Sequence, residues 1–497
     1  MALAPDLSSR TGSDLAHRCL AIRDALVSDG LYEAPADLKQ GPIGPAGRRT
    51  EEQAVATQWR IAPAPLPLPP RDIAFLRSLG PRLLAFYTAL NRLYLESLRG
   101  SQPAWVAGYL DQGKPESLLT FSRMKRFRDA LPAVIRPDII PTEAGMVITE
   151  LDSVPGGIGL TAALSRAYAA ADSAMRQALV GGPDGMVQGF GAMLRAALGG
   201  TGGAIAIVVS EEARDYRPEM TWLAARLREA GLDVHCVEPR ELRFTEEELR
   251  LTMPDRPVTL VYRFFELFDL PNVPKAELVL YAAKKTRVQV TPPFKPALEE
   301  KMAFALFHHP LLAPFWKHEL GEETQAILGG LLPRTWVLDP RPLPPSAVIP
   351  NLRLGDRAVA DWRDLAGASQ RDRRYVIKPS GFSELAWGSR GVSVGHDLPQ
   401  TEWSAALDKA LQSFATTPYV LQEFHKGRQF DMAYYDTRSQ DVVPMPGRAR
   451  LSPYYFVADG KAELGGILAT VCSLEKKLIH GMRDAIMVPC SQAMNAE

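Results

Sequence analysis

Hydrophobic and polar positions recur along this chain in several rhythms, and each rhythm predicts an element. From Asp72 to about Arg99, IAFLRSLGPRLLAFYTALNRLYLESL places apolar residues at helical spacing with one break at Gly80-Pro81, which predicts two helices. The preceding APAPLPLPPRD is too rich in proline for a helix interior or a central strand and reads as an extended strap over the surface. VIRPDII and MVITELD read as two strands of a hairpin around PTEAG, followed by the glycine turn SVPGGIG and the helix LTAALSRAYAAAD. AIAIVVS is an unbroken apolar run, hence a buried strand. The helix EMTWLAARLREAG stops at Gly231, and LDVHCVEP is the next strand. That strand–helix–strand unit favours an open parallel sheet, extended by TLVYRFFELFDL and KKTRVQVTPP. Later, ALEEKMAFALFHH reads as a helix, YVIKPS as a strand ending in lysine, GFSELAWGSRG as a loop, and YVLQEFHKG as a strand ending in an acidic hinge.

Composition narrows the setting. At 497 residues the chain exceeds one ordinary core. It divides into a helical region with the strap (1–129), a hairpin-and-helix segment (130–200), a βαβ segment (201–295) and a lysine-, loop- and hinge-bearing segment (296–497). Lysine plus arginine equals aspartate plus glutamate at 57 each, so no global field draws nucleic acid or anionic lipid, and any grip on phosphate must be local. The four cysteines are scattered with no CxxC pair, which speaks against a zinc site or disulfide scaffold and suits a reducing cytosol. With no apolar run of about 18 residues and no signal-peptide core, the expectation is a soluble, cytoplasmic protein.

The strongest local signal for chemistry is residues 375–394. A buried strand delivers Lys378, and a glycine-containing loop follows, with Ser380, Gly381 and Gly391 as its phosphate-side candidates. ATP needs such parts: a lysine charge on its phosphates, and a loop whose amides cover them and exclude water. In the hinge, the backbone of Gln422, Glu423 and Phe424 can meet an adenine edge while Phe424 packs on its face, and Gln429 or Asp431 can reach the ribose. Glu150 and Asp152 are two apart on one strand and so share a face, with Asp138 on the partner strand. Three such oxygens suit Mg²⁺. Gly156 and Gly157 precede a helix N-terminus able to hold a substrate carboxylate, and stand equally as residues that merely make the turn. Arg448 and Arg450, two apart on a strand, can face developing phosphoryl charge or be plain surface charge. His480 is read as a structural histidine before a general base.

Strand–K–P–loop–strand–helix–strand–[QE]-E-[FY] resembles the ATP-grasp superfamily, in which the upstream Lys301 of ALEEKMAFALF would touch the α-phosphate. The acidic pattern D…E-x-D lies before both lysines, an order similar to the circularly permuted ATP-grasp proteins of the glutathionylspermidine synthase kind, across roughly residues 130–440. Position 152 is Asp where those proteins usually carry Asn. The resemblance implies an α/β fold of circularly permuted ATP-grasp type with an open, mostly parallel βαβ region and an N-terminal helical segment. It implies an ATP- and Mg²⁺-dependent carboxylate–amine ligase working through an acyl phosphate, on small-molecule or peptide-like carboxylates and amines. A phosphotransferase and a non-catalytic nucleotide-binding protein are the alternatives on the same scaffold.

Overall fold

Strands whose residues are buried on both faces need cover on both sides, and the chain supplies it with helices drawn from distant segments. The computed structural model describes residues 12–33 and 59–493, apart from 153, 246, 345, 477, 478 and 480–483; the side chains of 387–389 also lie outside the description. His480 therefore falls outside the described residues.

The largest sheet has seven strands among the described residues. Its order is Leu66–Leu68, Ile486–Gln492, Lys461–Ser473, Asp441–Ala458, Val134–Thr142 and Gly145–Asp152, with Gln429–Asp436 pairing the first half of Asp441–Ala458. Every pairing is antiparallel except that of Leu66–Leu68 with Ile486–Gln492. Helices Pro70–Leu98, Ile158–Ala171 and Gly185–Leu198 pack against it over Leu451, Tyr454, Tyr455, Ala469 and Val471. The proline strap is thus an edge strand whose leucines are fully buried, not a surface covering. Proline suits an edge, where a missing N–H costs no ladder bond.

The expected break at Gly80-Pro81 is not there: Pro70–Leu98 is one helix with Pro81 inside it. A Cβ on Gly80 would lie 2.5 Å from the Ala462 carbonyl oxygen, so glycine lets the helix press directly on the sheet. An interior proline costs roughly 3 kcal/mol. Burying Leu76, Leu79, Leu83 and Phe86 contributes about 1.5–3 kcal/mol each, so packing overrides the local signal.

The expected parallel sheet forms from Val234–Val237, Ala204–Val209, Arg256–Phe264 and Gln289–Thr291. Two short antiparallel strands, Leu249–Leu251 and Leu242–Phe244, extend one edge. The fold is therefore mixed α/β, and the parallel region is only part of it.

A third, smaller sheet orders Thr335–Val337, Tyr419–Glu423, Tyr375–Pro379 and Ser393–Val394, all antiparallel. Helix Gln400–Gln412 backs it with a core of Ile377, Leu421, Trp403 and Leu407. ALEEKMAFALFHH is not one helix. A single 3₁₀ turn, Pro296–Leu298, gives way to a bend at residues 299–302 and then the short helix Ala303–His308, leaving Lys301 in the bend. The reason is that Glu299, Glu300 and Lys301 turn toward three different partners, Arg263, Lys114 and Glu150, which a regular helix face cannot do. No helix among the described residues is long and apolar enough to cross a membrane.

Candidate functional site

The hairpin strands Val134–Thr142 and Gly145–Asp152 pair Arg136 with Asp152 and Asp138 with Glu150. The two-residue period puts all four side chains on one face. That face looks into a cleft of about 1270 Å³, whose opposite wall is the small sheet. Lys378 bridges the walls: its ammonium donates to the Thr149 carbonyl at 3.1 Å and to Gln422 Oε1 at 2.8 Å. Segments more than 200 residues apart in sequence thereby share one site.

The charges on the acidic wall are closely matched. Lys301 Nζ lies 2.5 Å from Glu150 Oε1. Arg136 reaches Asp138 at 3.3 Å and Asp152 at 2.9 Å. Asp138 also accepts from Arg450 and from the Ser452 hydroxyl, both at 3.1 Å. Burial opposes ionisation of Asp138, yet Arg136 and Arg450 hold its carboxyl below the usual range, and Lys301 and Lys378 do the same for Glu150. Burial likewise works against charge on Lys301, but Glu150 raises its pKa above the ordinary value. Lys378 differs. Burial pushes it down to about 8, with Glu150 pulling only part of the way back.

Asp138, Glu150 and Asp152 are hard oxygen donors of the kind Mg²⁺ takes. In the present arrangement each faces a cation or a backbone N–H, and no three acidic, histidine or cysteine groups among the described residues converge as a metal cluster. A metal would have to exchange with Arg136, Lys301 or Arg450.

The remaining expected site residues divide. Gln422, Glu423, Phe424, Arg448, Arg450, Gly156 and Gly157 line the cleft with Val376, Val392, Val394 and His396. Phe424 meets the His396 ring edge-on at 4.4 Å, and with Val376 and Val394, which pair across the small sheet, it gives part of the cleft lining an apolar surface on which a planar ring can pack. The N–H groups of Glu423 and Phe424 are already committed to the carbonyls of Arg334 and Arg374, which removes two of the expected donors to a base edge. Arg448 donates to the Leu474 carbonyl at 3.3 Å. Ser380, Gly381, Gly391 and Gln429 are not on the cleft wall. The Ser380 hydroxyl and Gly381 N–H bond instead to the Glu300 carboxylate, Gly391 N–H closes the loop onto Leu385, and Gln429 is exposed beside Asp431. Within the loop, Ala386 and Arg390 line the cleft, and Arg390 reaches Glu212 of the parallel-sheet region at 3.6 Å.

The helix N-terminus at Gly157 is filled by the protein itself. Glu219 accepts from Gly157 N–H at 2.6 Å and Leu160 N–H at 2.8 Å. A substrate carboxylate would have to displace it. Burial raises the Glu219 carboxyl to about 7 against the pull of those two N–H groups. Gly156 and Gly157 are glycines for room: a Cβ would lie 2.1 Å from the Tyr216 ring at the first and 2.5 Å from the Tyr454 hydroxyl at the second, where φ is also +87°. Sequence reading passed over Arg136, Ser452 and Glu219. The period-two rule that joined Glu150 to Asp152 would have joined Arg136 to Asp138. Nothing local marks Glu219.

Neither a family model nor a curated protein matches this chain. Among solved structures, a glutathione synthetase-like effector from Globodera pallida in its apo form matches with a TM-score of 0.57 at 12% identity, covering 100% of both chains. That likeness shows a shared fold. A protein provisionally named gamma-glutamylcysteine synthetase from Methylobacillus flagellatus KT matches with a TM-score of 0.39 at 10% identity, covering 80% of this chain and 85% of that one, too loosely to carry an argument.

Proposed function

We propose that this chain is an ATP- and Mg²⁺-dependent carboxylate–amine ligase of permuted ATP-grasp type. The observation that carries the reading is the Lys378 bridge. It sets a lysine of the small sheet against the acidic hairpin of the large one, across a cleft lined in part by the apolar Val376, Val394 and Phe424. The fold shared with a glutathione synthetase-like effector points the same way.

On this reading the adenine packs on Val376, Val394 and Phe424, and Lys301 and Lys378 hold the phosphates. Asp138, Glu150 and Asp152 would hold Mg²⁺, which when bound would supply positive charge against the phosphates. Phosphoryl transfer asks little covalent chemistry of a protein and much positioning. Arg136 and Arg450 would offset the charge of the transferring phosphoryl group, with Arg448 beside them on the cleft wall. The γ-phosphoryl passes to a substrate carboxylate oxygen, an amine attacks the acyl phosphate carbon, and phosphate leaves. The loop at 381–391 covers the cleft and keeps water from the acyl phosphate.

The test is ADP release from ATP against panels of carboxylic acids, with and without hydroxylamine. Acid-dependent ADP release together with hydroxamate formation supports the ligase. ADP release with a phosphorylated alcohol and no hydroxamate replaces it with a phosphotransferase. The matched ion pairs of the acidic wall favour one second reading, a scaffold that binds nucleotide without turnover. Tight binding with no ADP from any acid or alcohol would establish that instead.

A further inference from the structure

The same bend that presents Lys301 to the cleft hides a second charged node behind it. Glu300 and Lys114 form an ion pair whose side chains are both fully buried. The Glu300 carboxylate also accepts from the Ser380 hydroxyl at 2.6 Å and from Gly381 N–H at 3.3 Å. Lys114 lies over the ring of Phe382, 5.7 Å from its centroid, and Phe382 N–H returns to the Ser380 hydroxyl at 3.2 Å. One carboxylate thus ties together three segments: the residue just before Lys301, the residues just after Lys378, and the N-terminal helical region. The approach is close, since a Cβ on Gly381 would lie 1.9 Å from the Glu299 carbonyl oxygen. A buried ion pair contributes little net stability for its desolvation cost, so its role is better sought in what it fixes than in the folding free energy.

We propose that Glu300 is a positioning residue that sets the spacing of Lys301 and Lys378 and anchors the start of the covering loop, with Lys114 balancing its charge. The inference rests on the nucleotide reading of the cleft. It also explains why Ser380 and Gly381 stand off the cleft wall: they hold the loop's root, not the phosphates.

Two variants of the full chain test it, titrated calorimetrically with Mg·AMP-PNP and separately with adenosine. Ser380→Ala removes one tie and leaves the ion pair; the double variant Lys114→Met with Glu300→Gln removes the ion pair without stranding a buried charge. Affinity for Mg·AMP-PNP is expected to fall about tenfold in each, a misplacement effect, while adenosine, which lacks all the phosphates, binds as in the parent. Unchanged Mg·AMP-PNP affinity overturns the proposal, as does an equal loss for both ligands. Should the double variant not fold, Ser380→Ala alone decides. If the parent chain and Lys378→Met bind Mg·AMP-PNP equally, or neither binds, the nucleotide reading itself has failed. If Lys378→Met loses binding and the two test variants do not, only the role of Glu300 has.

Discussion

The two walls of the cleft treat buried charge in opposite ways. On the large sheet, three carboxylates and three cations cancel almost completely: Asp138 and Asp152 share Arg136, Asp138 adds Arg450, and Glu150 takes Lys301. On the small sheet, Lys378 hydrogen-bonds only to neutral groups, a glutamine oxygen and a backbone carbonyl; burial lowers its pKa to about 8, and the charges of Glu150 and Asp138 offset only part of that. A charge already paired gains little from a ligand, whereas one that is buried with no directly paired counter-ion gains more. On the proposed reading the small sheet is therefore the side that takes an anion, and the acidic wall would first give up an internal partner to take a metal.

The sharpest way to break this contrast is Lys378→Met. Affinity for Mg·AMP-PNP should fall about 100-fold, the scale of one lost charge-assisted contact of roughly 3 kcal/mol, with the thermal midpoint held or raised. The same lysine gives a pH signature in the parent chain. Its folded pKa is lowered, and only the protonated form attracts phosphate, so affinity is greatest below about pH 8 and declines as pH rises through that value. A flat calorimetric profile from pH 7 to 9.5 would sink the assignment.

Asp138→Asn probes the matched wall. Removing the carboxylate leaves Arg136 and Arg450 facing each other, so stability should drop by about 3 kcal/mol in denaturant melts, together with any Mg²⁺ dependence of nucleotide binding. Because the folded pKa of Asp138 is depressed, its contribution is present above the ordinary carboxylate range and disappears as pH falls through the folded value.

Glu219 tests a smaller effect. Its folded pKa is raised from 4.5 to about 7, so the folded state binds the extra proton and this group's contribution to stability declines as pH rises between those values. Glu219→Gln should flatten that part of the profile; an unaltered slope in thermal melts would assign it elsewhere. Smallest of all, Gln429→Ala should leave nucleotide affinity within about twofold, because an exposed side chain off the cleft wall has little to lose. A tenfold loss would move the ribose to the strand beginning at Gln429.

Periodicity carries only local information, and the differences between reading and structure follow from that. The hairpin at 134–152, the parallel strands at 204–264 and the strand ending at Lys378 were legible because alternation and unbroken apolar runs are written into adjacent residues. Pro81 misled because the burial that overrides it comes from Ala462 and Tyr455, far along the chain. Ser380 and Gly381 looked like phosphate ligands because sequence shows a lysine beside a glycine loop and hides the Glu300 carboxylate that claims both.

By itself, then, the order of residues determined which side chains share a strand face, where backbone turns need glycine, and that acids and lysines of suitable kinds exist. Only the tertiary structure decided which acid meets which base. Ion pairing depends on distances of a few ångströms between segments more than a hundred residues apart, as for Glu150 with Lys301, and no local pattern encodes them.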